Sequence, residues 1–276
     1  SKALRLGEAK DARGKRLIQF FSVPRKPTKT NPKTRNMPED APEKWAEYIE
    51  YNRQDVVVEK AIRKRLLSLK PPAIEHEYWL LDQDINWRGV KVDMELVDAA
   101  LACNDEIVKE ATESSKILTG LENPNSTMQL KEWLTARLGY DLDTMRKDDV
   151  SNLLAQDIPS DVRKVLQNRQ VLGNSSIKKY LAMKNAVCSD GRIHGMLQFY
   201  GAMRSGRWAG RVVQLQNLPR NYLEDLDTAR EVLKSRDVEM LDLLYGNPGD
   251  VIKQLIRTAL IAEDGHRFIV ADFSAI

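Results

Sequence analysis

The sequence predicts an α+β protein that is mostly helical, and three observations predict it. Apolar residues recur at intervals of three and four through most of residues 43–187, the spacing of one helix face. Strand-like stretches appear only later, at 191–201 and again at 266–274. Prolines and glycines gather at the joints between these segments rather than inside them. The pattern is a long helical region followed by the start of an α+β region, with no internal repeat.

Taken in order, residues 1–23 are mixed, with one short apolar stretch, LIQFFSV. Residues 24–42 carry five prolines and five basic residues and read as a loop. A helix follows, with Trp45, Tyr48, Ile49, Val56, Val57, Ile62 and Leu66 as its apolar stripe, and Pro71 and Pro72 stop it. A second helix ends at Gly89, a short extended turn comes next, and Asp93 suits the N-cap of a third helix through residue 118. Ser126 with Gln129 three residues on is a capping-box signature for the next helix. Further helices fit 150–156 and, as one unbroken element, 161–187. The segment 191–201 reads as strand, 249–262 as helix, and 266–274 as a strand leading to Asp272. An apolar run ending in a carboxylate four residues before the last residue predicts that the chain is cut from a longer one.

Composition excludes several classes. No apolar run approaches the roughly 18 residues of a membrane-spanning helix, and no signal peptide opens the chain, so cytoplasmic residence is the default. Cys103 and Cys188 are single and far apart, so no disulfide framework or paired-cysteine metal site is expected. His76, His194 and His266 lack metal-ligand spacing. Net charge is only +3, but it is unevenly spread. Residues 161–184 hold six basic and one acidic side chain, and 201–220 hold Arg204, Arg207, Arg211 and Arg220 with no acid. Clustered basic charge is the footprint of a polyanion site, and equally of a solvated basic face.

Several motifs in one order carry more. Ser205-Gly206-Arg207, then Gln216-Asn217-Leu218-Pro219, then RTALIA, then Asp272-Phe273-Ser274-Ala275-Ile276 resemble the entry to the palm of family A DNA polymerases, the DNA polymerase I type, in a bacteriophage-like form. Tyr51-Asn-Arg-Gln-Asp55 is similar to that family's third exonuclease motif, and its Tyr and Asp at i and i+4 share a helix face. NSTMQL, 125–130, and RQVLGNSSIKKY, 169–180, are similar to its DNA-facing thumb segments. The resemblance covers nearly the whole chain. It implies residues 1–70 as the end of an RNase H-like 3′–5′ exonuclease domain, 71–190 as a helical thumb, and 191–276 as the start of a palm ending in the first catalytic strand.

The function so implied is template-directed DNA synthesis by a longer parent enzyme, with this fragment inactive alone. Two magnesium ions would be the cofactor, primer-template DNA and deoxynucleoside triphosphates the partners, and the bacterial or phage-infected cytoplasm the location. The resemblance assigns Asp272 and the Phe273 carbonyl to palm metal, and Asp55 with Tyr51 to exonuclease chemistry. It assigns Arg207, Gln216 and Asn217 to the minor groove, where acceptors sit alike for all base pairs. Arg204 and Arg211 would contact phosphates, as would Asn125, Ser126, Arg169, Ser176, Lys178 and Lys179 from the thumb. Arg257 would face the incoming triphosphate. Phe273 and Ala275 depart from the family's Tyr and Gln, and the family's second palm carboxylate lies outside these residues. Two other readings stay open: a non-catalytic duplex-binding module, and a nuclease working through Asp55.

Overall fold

The computed structural model describes residues 13–173 and 176–271, without the side chain of residue 147. It is mostly helical with a few short strands and falls into two compact units that meet between His76 and Glu77. No helix among the described residues is long and apolar enough to cross a membrane.

The first unit pairs α1 (Gly14–Ser22) with α2 (Pro42–Leu66). Leu17 and Phe21, one turn apart, are the apolar face of α1. Phe21 packs edge-on to Trp45 at 5.1 Å and stacks on Tyr48 at 5.5 Å, and Tyr48 stacks on Tyr51 at 6.2 Å. Pro42 opens α2 where no intrahelical N–H is needed, and Arg63, Lys64 and Arg65 sit favourably at its negative end. The helix expected here forms; its buried positions are Tyr51 and Val58, while Ile49, Val56 and Val57 of the apolar stripe are exposed. Among the described residues, the short helix α1 covers a narrower face than the apolar stripe spans.

The boundary falls in the first turn of α3 (Ala73–Arg88), which ends in the second unit at Gly89, whose φ of +65° turns the chain into β1 (Val90–Val92). Asp93 caps α4 (Met94–Thr119), its carboxylate accepting the Leu96 N–H at 3.0 Å. Next come α5 (Thr127–Leu138), α6 (Lys147–Leu154), α7 (Ser160–Leu172) and α8 (Ile177–Ala186). β2 (Arg192–Ile193) is followed by the antiparallel hairpin of β3 (Leu197–Ala202) and β4 (Arg207–Gly210). The described chain continues through α9 (Leu226–Lys234), α10 (Val238–Tyr245) and α11 (Pro248–Leu255), and then a 3-10 turn into β5 (Leu260–Ile261). β1 lies between β2 and β5, antiparallel to both, with Val90 opposite Ile193 and Lys91 opposite Ile261.

Two apolar cores result. The larger gathers Leu96, Val97 and Cys103 of α4, Tyr180 and Met183 of α8, and Leu233, Leu241, Ile252 and Leu255 of α9–α11. The smaller joins Leu130 and Leu134 of α5 to Leu153 of α6 and Val162 and Leu166 of α7.

Three expectations are revised. The helix expected over 161–187 is two helices, because α7 stops at Gly173, whose N–H returns to Arg169 O at 3.0 Å, in a stretch rich in cap-forming rather than helix-forming residues. The expected helix 249–262 tightens after Leu255 and turns into β5. Of the strand expected over 266–274, the described residues 266–271 are irregular, and Ile269 and Val270 are 86% and 90% exposed. An apolar run becomes a strand only against a pairing edge, and none of the described strands supplies one.

Candidate nucleic-acid interface

Two patches of the second unit collect most of the sequence-predicted contact residues. The first lies at the start of α5. Ser126 caps the helix, its hydroxyl 3.5 Å from the Gln129 N–H. Half-buried Arg169, near the end of α7, donates to Asn125 O at 3.2 Å and to Thr127 Oγ1 at 3.1 Å. Asn125, Ser126 and Arg169, dispersed in sequence, therefore converge. Nearby, Lys164, Arg169, Ser176 and Lys253 line a cleft of about 850 Å³, together with the acids Asp242 and Asp250. Lys178 is exposed and, among the described residues, has no ion-pair partner.

The second patch is the β3–β4 hairpin and the turn after it. Asn86 of α3 grips β3 on both sides of one residue: its Nδ2 donates to Leu197 O and its Oδ1 accepts Leu197 N–H, each at 2.9 Å. Trp208 of β4 donates to the buried Asp82 at 2.8 Å and packs against Tyr78 and Phe199. The pairing slips between Gln198 and Ala202, where Tyr200 takes φ +52°. At the hairpin end Arg204 and Arg207 are exposed and, among the described residues, have no ion-pair partner. Arg211 folds back onto the side chain of Gln198 and the Gly210 carbonyl.

The turn carrying Gln216 and Asn217 is held from several sides. Val213 and Leu218 are buried in the larger core. Lys179 of α8 donates to Val213 O at 2.8 Å, so one of its donors is committed inside the protein. Arg257 donates through Nε to Pro219 O at 2.8 Å and through Nη2 to Leu218 O at 2.7 Å, which ties the side chain expected at a triphosphate to the turn itself. Gln216 and Asn217 are exposed, and Asn217 also donates to Gln214 at 3.3 Å. The Gln216 carboxamide lies over Gly210, where a Cβ would stand 2.2 Å from its Oε1.

No protein-family model matches the chain. Over its whole length the chain is 50% identical to the DNA polymerase of Bacillus phage SP02. It spans 43% of that protein's length. The similarity to this phage DNA polymerase therefore runs across both units.

In the first unit, Tyr51 is buried beneath Gly14, where a Cβ would meet its ring at 2.0 Å, and Asp55 lies half-buried one turn on. Asp272 and Phe273 lie outside the described residues. No three His, Cys, Asp or Glu among the described residues are grouped to hold a metal ion.

Shifted protonation equilibria mark structural groups. Burial raises the Cys103 thiol to about 11 and pushes the Tyr180 phenol up, where its hydroxyl donates to Ile252 O at 2.8 Å. Burial opposes ionisation of Asp93, but the Leu96 N–H with Lys234 and Arg230 outweighs it and holds the carboxyl below its usual range. His194 is raised, by the Asp190 carboxylate first and by the Trp87 carbonyl at 2.7 Å second. Asn86, Asp82 and the clamping roles of Lys179 and Arg257 were not found by sequence reasoning. No local signal names which distant carbonyl or indole a side chain will reach.

Proposed function

We propose that this chain is the duplex-gripping part of a family A DNA polymerase. In the parent enzyme it would hold primer-template DNA during synthesis from deoxynucleoside triphosphates. The observation that carries the reading is the 50% identity, along the entire chain, to the phage SP02 DNA polymerase. The geometry supports it. Arg204, Arg207, Gln216 and Asn217 stand exposed on a braced hairpin and turn, and Asn125, Ser126 and Arg169 converge at a capped helix start. Donors held in fixed positions suit the minor groove, where acceptors recur regardless of sequence. A helix N-terminus beside an arginine suits phosphate. The helix bearing Tyr51 and Asp55 is read as the end of a proofreading domain. Polymerisation in the parent is assigned to magnesium held through Asp272 and Phe273, and the role of the described residues is grip.

The test is fluorescence anisotropy of the chain with labelled duplexes of unrelated sequence across a salt series. Equal affinity for all of them is expected. The slope of log K against log salt is expected to be about −0.9 for each phosphate neutralised, which gives roughly a hundredfold loss for 4 to 6 contacts between low and physiological salt. Replacing Arg204 by Met should flatten the slope by about 0.9. No binding at low salt overturns the reading.

A further inference from the structure

The turn between β4 and α9 is strained. Val212 has φ +57°, and Gln214 has φ 57° and ψ 69°. A β-branched residue there is a true outlier, and such conformations persist only where the surroundings over-determine them. The surroundings here can be counted. Arg211 N–H is bound by Met196 O at 2.7 Å, Val213 and Leu218 are buried, and Asn217 N–H closes on Gln214 O at 2.9 Å. The two charged donors are Lys179, from α8, and Arg257, from the 3-10 turn after α11. They fix carbonyls on both sides of Gln216 and Asn217.

We propose that Lys179 and Arg257 are positioning residues: they clamp the 213–219 backbone in its strained form and so aim Gln216 and Asn217, rather than meeting DNA or nucleotide themselves. This rests on the reading of the turn as a duplex contact. A cation bound to a carbonyl fixes geometry, whereas one on a phosphate releases a counterion, and the two leave different marks on salt dependence. The clamp also joins α8, the turn and the α11 end into one body, so the aim of Gln216 depends on side chains far away in sequence.

The experiment compares Lys179→Met, Arg257→Met and Lys178→Met in the full 276-residue chain. The first readout is hydrogen exchange without DNA. Amides of 214–218 should exchange about tenfold faster in Lys179→Met and Arg257→Met, the loss of one charge-assisted bond, while α4 amides keep their protection. The second is duplex affinity across salt. Lys179→Met should weaken binding about tenfold with its slope unchanged, whereas Lys178→Met should flatten the slope by about 0.9. Third, Gln216→Ala should cost less affinity in the Lys179→Met background than in wild type. Arg257→Lys, which keeps the charge and one of two bonds, should fall midway and guards against a fold failure in Arg257→Met. A flattened slope for Lys179→Met with unchanged exchange makes Lys179 a phosphate contact and overturns the clamp. Absence of duplex binding by the wild-type chain overturns the gripping reading instead, and the exchange readout still decides the clamp.

Discussion

Replacing Asn86 by Ala should loosen the hairpin on which Arg204 and Arg207 stand. The side chain makes two bonds of 2.9 Å to the backbone of Leu197, in a half-buried setting. Each contributes about 1 kcal/mol net, and each leaves a β3 backbone group short of a partner when lost, for a total of about 2–4 kcal/mol. In a unit of this size 1 kcal/mol moves the midpoint by roughly 2–4 °C, so a fall of about 4–16 °C is expected in a thermal melt followed by circular dichroism. Asn86→Asp sharpens the test. It keeps an acceptor for Leu197 N–H but turns a carboxylate toward Leu197 O. The folded state then favours the protonated acid, which can donate to that carbonyl. The offset from wild type should therefore be small well below the ordinary aspartate value of about 3.9 and grow as pH rises through the raised folded value. A shift under about 1 °C for Asn86→Ala, or an Asn86→Asp offset that ignores pH, would refute the bidentate hold.

Other consequences are as direct. Gly210→Ala places a methyl 2.2 Å from Gln216 Oε1 and 2.9 Å from Gln214 Cα, so duplex affinity should fall about tenfold in anisotropy, and an unchanged affinity would remove Gln216 from the contact. Gly14→Ala drives a methyl into the Tyr51 ring and should destabilise the first unit by about 1–3 kcal/mol; a melt indistinguishable from wild type would contradict that packing. Asp190 and the Trp87 carbonyl favour the protonated form of His194, so its folded pKa lies above the unfolded value. Its contribution should be complete below about 6.5 and vanish as pH climbs through the raised value, and an offset in melting between wild type and His194→Gln that is the same at both ends of that window would count against it. Asp93 has the opposite sign: its contribution, present at neutral pH, should be lost as pH falls through its depressed value, and Asp93→Asn should flatten acid sensitivity.

Local signals were legible where one residue decides an outcome. Asp93 and Ser126 cap helices as their spacing predicts, and Gly89 ends α3 in the left-handed region. α9 and α10 were overlooked although Asp225 and Asp237 cap them, accepting Thr228 and Met240 N–H, and Gly246 closes the second. Each helix has only 8 or 9 residues, too few for periodicity to stand out. The stripe of α2 predicted its helix, but spacing says which residues share a face, not how wide a partner covers it. Among candidate contacts, the exposed arginines follow from charge alone. Lys179 and Arg257 read from sequence as two more cations for DNA or nucleotide, and only the packed structure brings them to carbonyls 34 and 38 or 39 residues away.

The 26-residue α4 joins the two apolar cores. Its first turns are sunk in the larger, and beyond them it runs alongside α7, with Asn168 bonded to Ser114 and Ser115 and Leu118 resting on the smaller. From Cys103 to Leu118 that is an arm of about 22 Å, anchored at one end, so a tilt of about 10° sweeps its far end through roughly 4 Å. Arg169 and the capped start of α5 belong to the far end, and the turn bearing Gln216 belongs to the end sunk in the larger core. On the proposed reading, the span between the two grips follows the length of this one helix, which α7 braces beyond the larger core.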